Sequence, residues 1–166
     1  PTGTLLAQMM ASGGVAHVTV ADPAQAKLAT VRALGIDQTV PIGMITEDNA
    51  EQVVEQLRAA SPTGQGYDIV VEATGSATVG NLGLPLLRNG GTLLVYGVAR
   101  EDARLALAPY EMFRRELTVL GSFAEMTSFE AALNALRNGR VRTDGLWQAT
   151  CFEAFVRTAG GYVEYN

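Results

Sequence analysis

Short runs of β-branched and aliphatic residues alternate with helical stretches along most of the chain, and this alternation limits the fold more than any other feature. Val15 to Ala21 (VAHVTVA), set between Gly13-Gly14 and Asp22-Pro23, reads as a buried strand. Pro23 opens a helix to Leu34. Its apolar positions are Ala26, Leu28, Ala29, Val31 and Leu34, while Gln25, Lys27 and Arg32 face solvent and Gly35 stops it. The pattern then recurs. Strands are expected at Asp37–Val40, Tyr67–Ala73 (YDIVVEA), Thr92–Tyr96 (TLLVY) and Leu117–Leu120, and helices at Glu47–Ala60, Ala77–Arg88, Pro109–Arg115 and Ser128–Asn138. Such alternation predicts parallel pairing in an α/β fold with helices on both sheet faces. The first helix, Thr4–Ser12, is the exception, because no strand stands before it.

Composition bounds the function. A chain of 166 residues, 48% hydrophobic, is long enough for one domain with its own core. A net charge of −5 without a basic run argues against nucleic acid as a partner. The single cysteine, Cys151, rules out an internal disulfide framework and suggests a reducing, cytoplasmic setting. No apolar run reaches membrane-spanning length, so no membrane partner is expected.

Dinucleotide sites place glycines at a strand-to-helix turn, with an acid about 20 positions onward for the ribose hydroxyls. Gly3 and Asp22, nineteen positions apart, match the second half of that arrangement. On the residues alone a second reading stands beside it: Gly3 allows close packing and Asp22 caps the helix ahead of Pro23. Thr74-Gly75 and Gly97 close two strands at the expected crevice, where turn chemistry alone would also explain them. Glu72 either approaches a cofactor edge or caps the following turn. His17, the only histidine, lies away from the crevice and is read as solvated or packed. The clusters Arg114-Arg115-Glu116 and Glu101-Asp102-Arg104 read as solvated surface. No set of ligands for zinc, catalytic or structural, can be assembled from the sequence, and no catalytic residue is assigned.

Five segments, PTGTLLAQMM, HVTVADPAQAKLATVRALGID, YDIVVEATGS, LLRNGGTLLVYGVA and PYEMFRRELTVLGSF, occur in an order and spacing that resemble one family. It is the cofactor domain of zinc-dependent medium-chain alcohol and polyol dehydrogenases, and the last segment is especially similar to the sorbitol and arabinitol branch. The resemblance covers residues 1–145 and implies a Rossmann-type doubly wound parallel sheet. In that family the loop reads G-x-G-P-x-G, so Pro1-Thr2-Gly3 corresponds to its end. The first strand and two glycines have no counterpart, so a truncated domain, a fragment of a longer enzyme, is expected. Intact mass well above 17.5 kDa would contradict that.

Carried over by position, the resemblance implies that Thr2 and Gly3 face the pyrophosphate. Asp22 would hold the adenosine ribose, with Lys27 flanking it. Ala73, Thr74, Gly97, Val98, Ser122 and Phe123 would line the nicotinamide half. The implied cofactor is NAD, since Asp22 would repel a 2′-phosphate. The implied reaction is hydride transfer from a secondary alcohol or polyol, with zinc confined to a catalytic domain outside this chain. Homo-oligomerisation is also implied. Residues 146–166 depart from the family and are expected to form a tail with a helix near Phe152–Arg157 and a short strand near Tyr162–Tyr165. Two other functions remain: an S-adenosylmethionine-dependent methyltransferase, which also uses an acid after a second strand, and a non-catalytic NAD-binding or oligomerisation module.

Overall fold

A computed structural model describes residues 1–123 and 127–146. Cys151 and the expected tail elements lie outside them.

The strands are β1 (Thr19–Asp22), β2 (Gln38–Pro41), β3 (Tyr67–Glu72), β4 (Leu87–Val95) and β5 (Thr118–Gly121). The helices are α1 (Thr2–Ser12), α2 (Gln25–Ala33), α3 (Ala50–Ala59), α4 (Ala77–Gly80), α5 (Gly83–Leu86), α6 (Pro109–Arg115) and α7 (Phe129–Arg137). Every ladder is parallel, as the alternation predicts. The strands nevertheless form two sheets, β1-β2 and β3-β4-β5. In the 3-2-1-4-5-6 order of doubly wound sheets, these are the two groups that flank the central strand.

Two differences from the sequence reading have local causes. Val15–Val18 stays outside β1, because the partner strand β2 offers only four residues and pairs Thr19 with Gln38 through Asp22 with Pro41. The expected helix over Ala77–Arg88 breaks into α4 and α5. Pro85 has no N–H and its ring crowds the carbonyl four residues back, at Asn81. Asn81 instead turns its side-chain oxygen to the Ala106 N–H at 2.9 Å.

Three apolar clusters hold the layers. Ala7, Val31 and Ile36 join α1 and α2 beside β1, with Val18 and Val20 packed against them. Val40, Val53, Leu57, Leu82 and Leu86 link β2 to β3 through α3, where Val70 and Tyr67 pack on the cluster. Leu84, Leu87, Leu93 and Leu117 form the core of the larger sheet. The Tyr67 phenol donates to the Leu57 carbonyl at 2.8 Å. Its burial pushes its pKa above the usual phenol value, partly opposed by a hydrogen bond with Thr19.

Helices do not cover both faces of the larger sheet within the described residues. Val70, Glu72, Leu93, Val95 and Val119 share the covered face, whereas Ile69 and Leu120 on the other are exposed. α1 packs on β1 and α2, away from this face. Gln8 adds a polar tether. Its side-chain amide donates to the Arg142 carbonyl at 3.0 Å and accepts from the Arg142 N–H at 2.8 Å. Gln8→Ala leaves both backbone groups unpaired and lowers unfolding stability by about 1–2 kcal/mol, measurable by urea denaturation. A change below a tenth of that size would contradict the tether.

Candidate functional site

Parallel register aligns the carboxyl ends of the strands. Glu72 pairs with Val95 and Val95 with Gly121. Ala73-Thr74, Gly97-Val98 and Ser122-Phe123 therefore leave the sheet along one edge, while Asp22 ends β1 opposite Pro41. Ligands of open parallel sheets bind along such an edge.

On the β1 side, Asp22 Oδ1 accepts from the Ala24 N–H at 2.8 Å, a turn that leads into α2, whose N-cap is Ala24 without a side-chain cap, so Asp22 shapes the approach to the helix and does not cap it. This bond leaves most of the carboxylate's acceptor capacity unused. Oδ2 lies 3.6 Å from Lys27 Nζ, and the side chains are 27% and 65% exposed, respectively. The structure thus joins these two sequence-assigned residues. Asp22 is the more fixed of the pair, since Lys27 carries its charge on a long exposed stem. Thr2 and Gly3 form the first turn of α1. A Cβ added to Gly3 would meet no atom within 4 Å, so packing among the described residues does not require glycine there.

The β3–β5 side is built by backbone contact. Gly75 has φ +75, and a Cβ there would overlap the Val98 carbonyl. A Cβ on Gly97 would stand 2.8 Å from the Thr74 nitrogen and 2.7 Å from Glu72 Oε2, besides overlapping the Gly75 nitrogen. These glycines let the two loops touch main chain to main chain. Glu72, only 5% exposed, resolves the alternative in favour of capping. Its Oε1 accepts from the Thr74 N–H at 2.6 Å, the Gly75 N–H at 3.0 Å and the Thr74 hydroxyl. The Ser122 N–H donates to the Val95 carbonyl at 3.1 Å, which leaves that amide unavailable to a ligand. Val98 and Phe123 present almost fully exposed apolar side chains.

Other assigned groups lie elsewhere. His17 is exposed in the segment before β1, at the opposite end from Asp22. Arg115 corrects the solvated-surface reading of its cluster. Its side chain is 13% exposed and donates to the Leu84 and Leu87 carbonyls at the end of α5. Arg58 similarly donates to the Pro85 carbonyl at 2.7 Å and the Gln65 carbonyl at 2.8 Å. These guanidiniums line a pocket with Arg88 and Arg114, but their carbonyl partners give them a helix-end capping role. Among the described residues, no three His, Cys, Asp or Glu side chains converge on a possible metal position.

The sequence reading missed Gln8 as a tether, although one amide inside LLAQMMA was its visible signal.

Comparison with known proteins adds an independent line. The model of the zinc-binding dehydrogenase family matches residues 1–138. D-arabinitol dehydrogenase 1 of Uromyces fabae is 37% identical over 146 residues, covering 88% of this chain and 41% of that protein. D-altritol 5-dehydrogenase of Agrobacterium fabrum is 36% identical over 145 residues, covering 87% and 38%. The chain thus spans about two fifths of the length of these relatives. Among solved structures, a zinc-binding dehydrogenase of Sinorhizobium meliloti bound to NADP superposes with a TM-score of 0.73 at 27% identity. The match covers 85% of this chain and 40% of that one.

Proposed function

Since this chain belongs to the zinc-binding dehydrogenase family, we propose that its crevice holds NAD for hydride transfer from a secondary alcohol or polyol. The observation that carries the cofactor preference is Asp22, fixed at the end of β1 with one oxygen spent on the Ala24 amide and acceptor capacity remaining. Its carboxylate would accept hydrogen bonds from the two adenosine ribose hydroxyls and repel a 2′-phosphate. Lys27 works against that repulsion, but its exposed ammonium is more strongly screened than the half-buried acid. NAD is therefore preferred, in contrast to the NADP bound in the Sinorhizobium meliloti structure.

Thr2 and Gly3, at the positive end of α1, would face the pyrophosphate. Ala73, Thr74, Gly97 and Val98 would form the wall of the nicotinamide half, with Ser122 and Phe123 at its rim. The Ser122 contribution falls to its carbonyl and hydroxyl, because its amide is bound to Val95. When bound, the nicotinamide supplies the hydride acceptor. This chain's residues supply orientation and a low-polarity wall. The described residues do not fit a zinc site, and no step is assigned to the metal here. The domain is read as residues 1–145 with a separate tail, in a cytoplasmic homo-oligomer.

Equilibrium titration of the chain with NADH, NADPH and S-adenosylmethionine tests the reading. Saturable NADH binding, weaker NADPH binding and no S-adenosylmethionine binding are expected. Binding of S-adenosylmethionine alone would sink it in favour of a methyltransferase, although parallel pairing of β5 with β4 already argues against that fold's closing hairpin. NADH binding without alcohol-dependent turnover, even in the full-length protein, would identify a non-catalytic module.

A further inference from the structure

We propose that Glu72 is the positioning residue of the nicotinamide half, a buried carboxylate that fixes two crevice loops in one relative geometry. The inference rests on the cofactor reading above and extends it to a residue that would not touch the cofactor. Glu72 acts from both ends. Its main-chain carbonyl accepts from the Tyr96 N–H at 2.9 Å and the Gly97 N–H at 2.8 Å, which ties β3 to the loop leaving β4. Its side chain gathers the Thr74 amide, the Thr74 hydroxyl and the Gly75 amide.

The Thr74 hydroxyl is then aligned as a relay. It donates to Glu72 and accepts from the Ser76 N–H at 3.1 Å. Both of its hydrogen-bonding roles are used inside the loop, so what Thr74 offers the crevice is main chain and a methyl group. Because the loop is drawn down onto Glu72, Gly75 is driven against the Val98 carbonyl and Gly97 against Thr74. The wall position is thereby set by a charge beneath it. A carboxylate suits this place because it accepts at every lone pair and offers no competing donor. An amide of the same shape would aim an N–H₂ at one or more backbone N–H groups.

The deciding experiment uses the full chain and compares NADH with ADP-ribose, which lacks the nicotinamide. Glu72→Gln is expected to weaken NADH about tenfold while ADP-ribose changes by less than about twofold, since the lost hydrogen bonds to charge lie only under the nicotinamide wall. A role confined to overall stability would move both ligands together, and parallel loss overturns the proposal. An unchanged NADH affinity overturns it as well. If Glu72→Gln does not fold, Thr74→Val decides, with NADH weakened by about threefold to fivefold and ADP-ribose retained. Thr74→Ser, which keeps the hydroxyl, should then restore the parent ratio, and equal ratios in the two variants count against the relay. Failure of the parent chain to bind either ligand defeats the cofactor reading itself. ADP-ribose binding with an unmoved NADH arm defeats only the role of Glu72.

Discussion

Asp22→Asn weakens NADH binding by about tenfold to a hundredfold and narrows or reverses the preference over NADPH, because hydrogen bonds to a charged acceptor contribute about 1.5–3 kcal/mol. Asparagine is a better probe than alanine. Asp22 also holds the turn before α2 through the Ala24 amide at 2.8 Å, and asparagine makes the same turn as aspartate. Unfolding stability should therefore stay within about 0.5 kcal/mol of the parent, since the turn hydrogen bond survives. The charge alone is removed, and Lys27, otherwise 3.6 Å from Asp22 Oδ2, becomes available to a 2′-phosphate. Fluorescence titration with both reduced cofactors measures the ratio directly. If the ratio is unchanged in a variant that remains folded, Asp22 has only its role in the turn before α2.

Gly97→Ala should be the most damaging single-methyl change at this edge, costing about 3 kcal/mol or more because main chain blocks the new group on several sides. The added carbon would press on Gly75, Glu72 and Thr74 together. None of these is the far end of a flexible side chain except the carboxylate, and that carboxylate is held by its own donors. Gly75→Ala should approach the same cost, since it adds a left-handed backbone to the overlap with Val98. Gly121 provides the control. It pairs with Val95 in the same row, yet among the described residues a Cβ there meets nothing within 4 Å. Denaturation midpoints for the three variants would decide the matter, and a Gly97→Ala chain as stable as Gly121→Ala would refute the close approach.

The parts of this molecule that depend on local periodicity were legible before its structure. Tyr67–Glu72 and Pro109–Arg115 follow the expected limits almost to the residue, because apolar runs and proline act on their own neighbours. Where tertiary pairing decides, the reading fell short. Val15–Val18 has strand composition but no partner beyond the four residues of β2. Ala77–Arg88 has helical periodicity, and there the overlooked signal was local, since Pro85 stands inside the run. At the site, spacing singles out Asp22 and the family resemblance its neighbour Lys27, and the structure brings the two side chains to 3.6 Å. Glu72 could not be resolved, since one acidic letter on an apolar strand does not say whether its donors come from a ligand or from the next turn. Arg115 was misread for a related reason. Its carbonyl partners, Leu84 and Leu87, lie 31 and 28 positions away.

The main-chain contact between the loops that follow β3 and β4 has a consequence for motion. Glu72 holds both loops at once, through its carbonyl on the Tyr96 and Gly97 amides and through its side chain on the Thr74 and Gly75 amides. Opening either loop would strip hydrogen bonds from the other, so the two should open as one unit, and those four amides should exchange with solvent at a common rate.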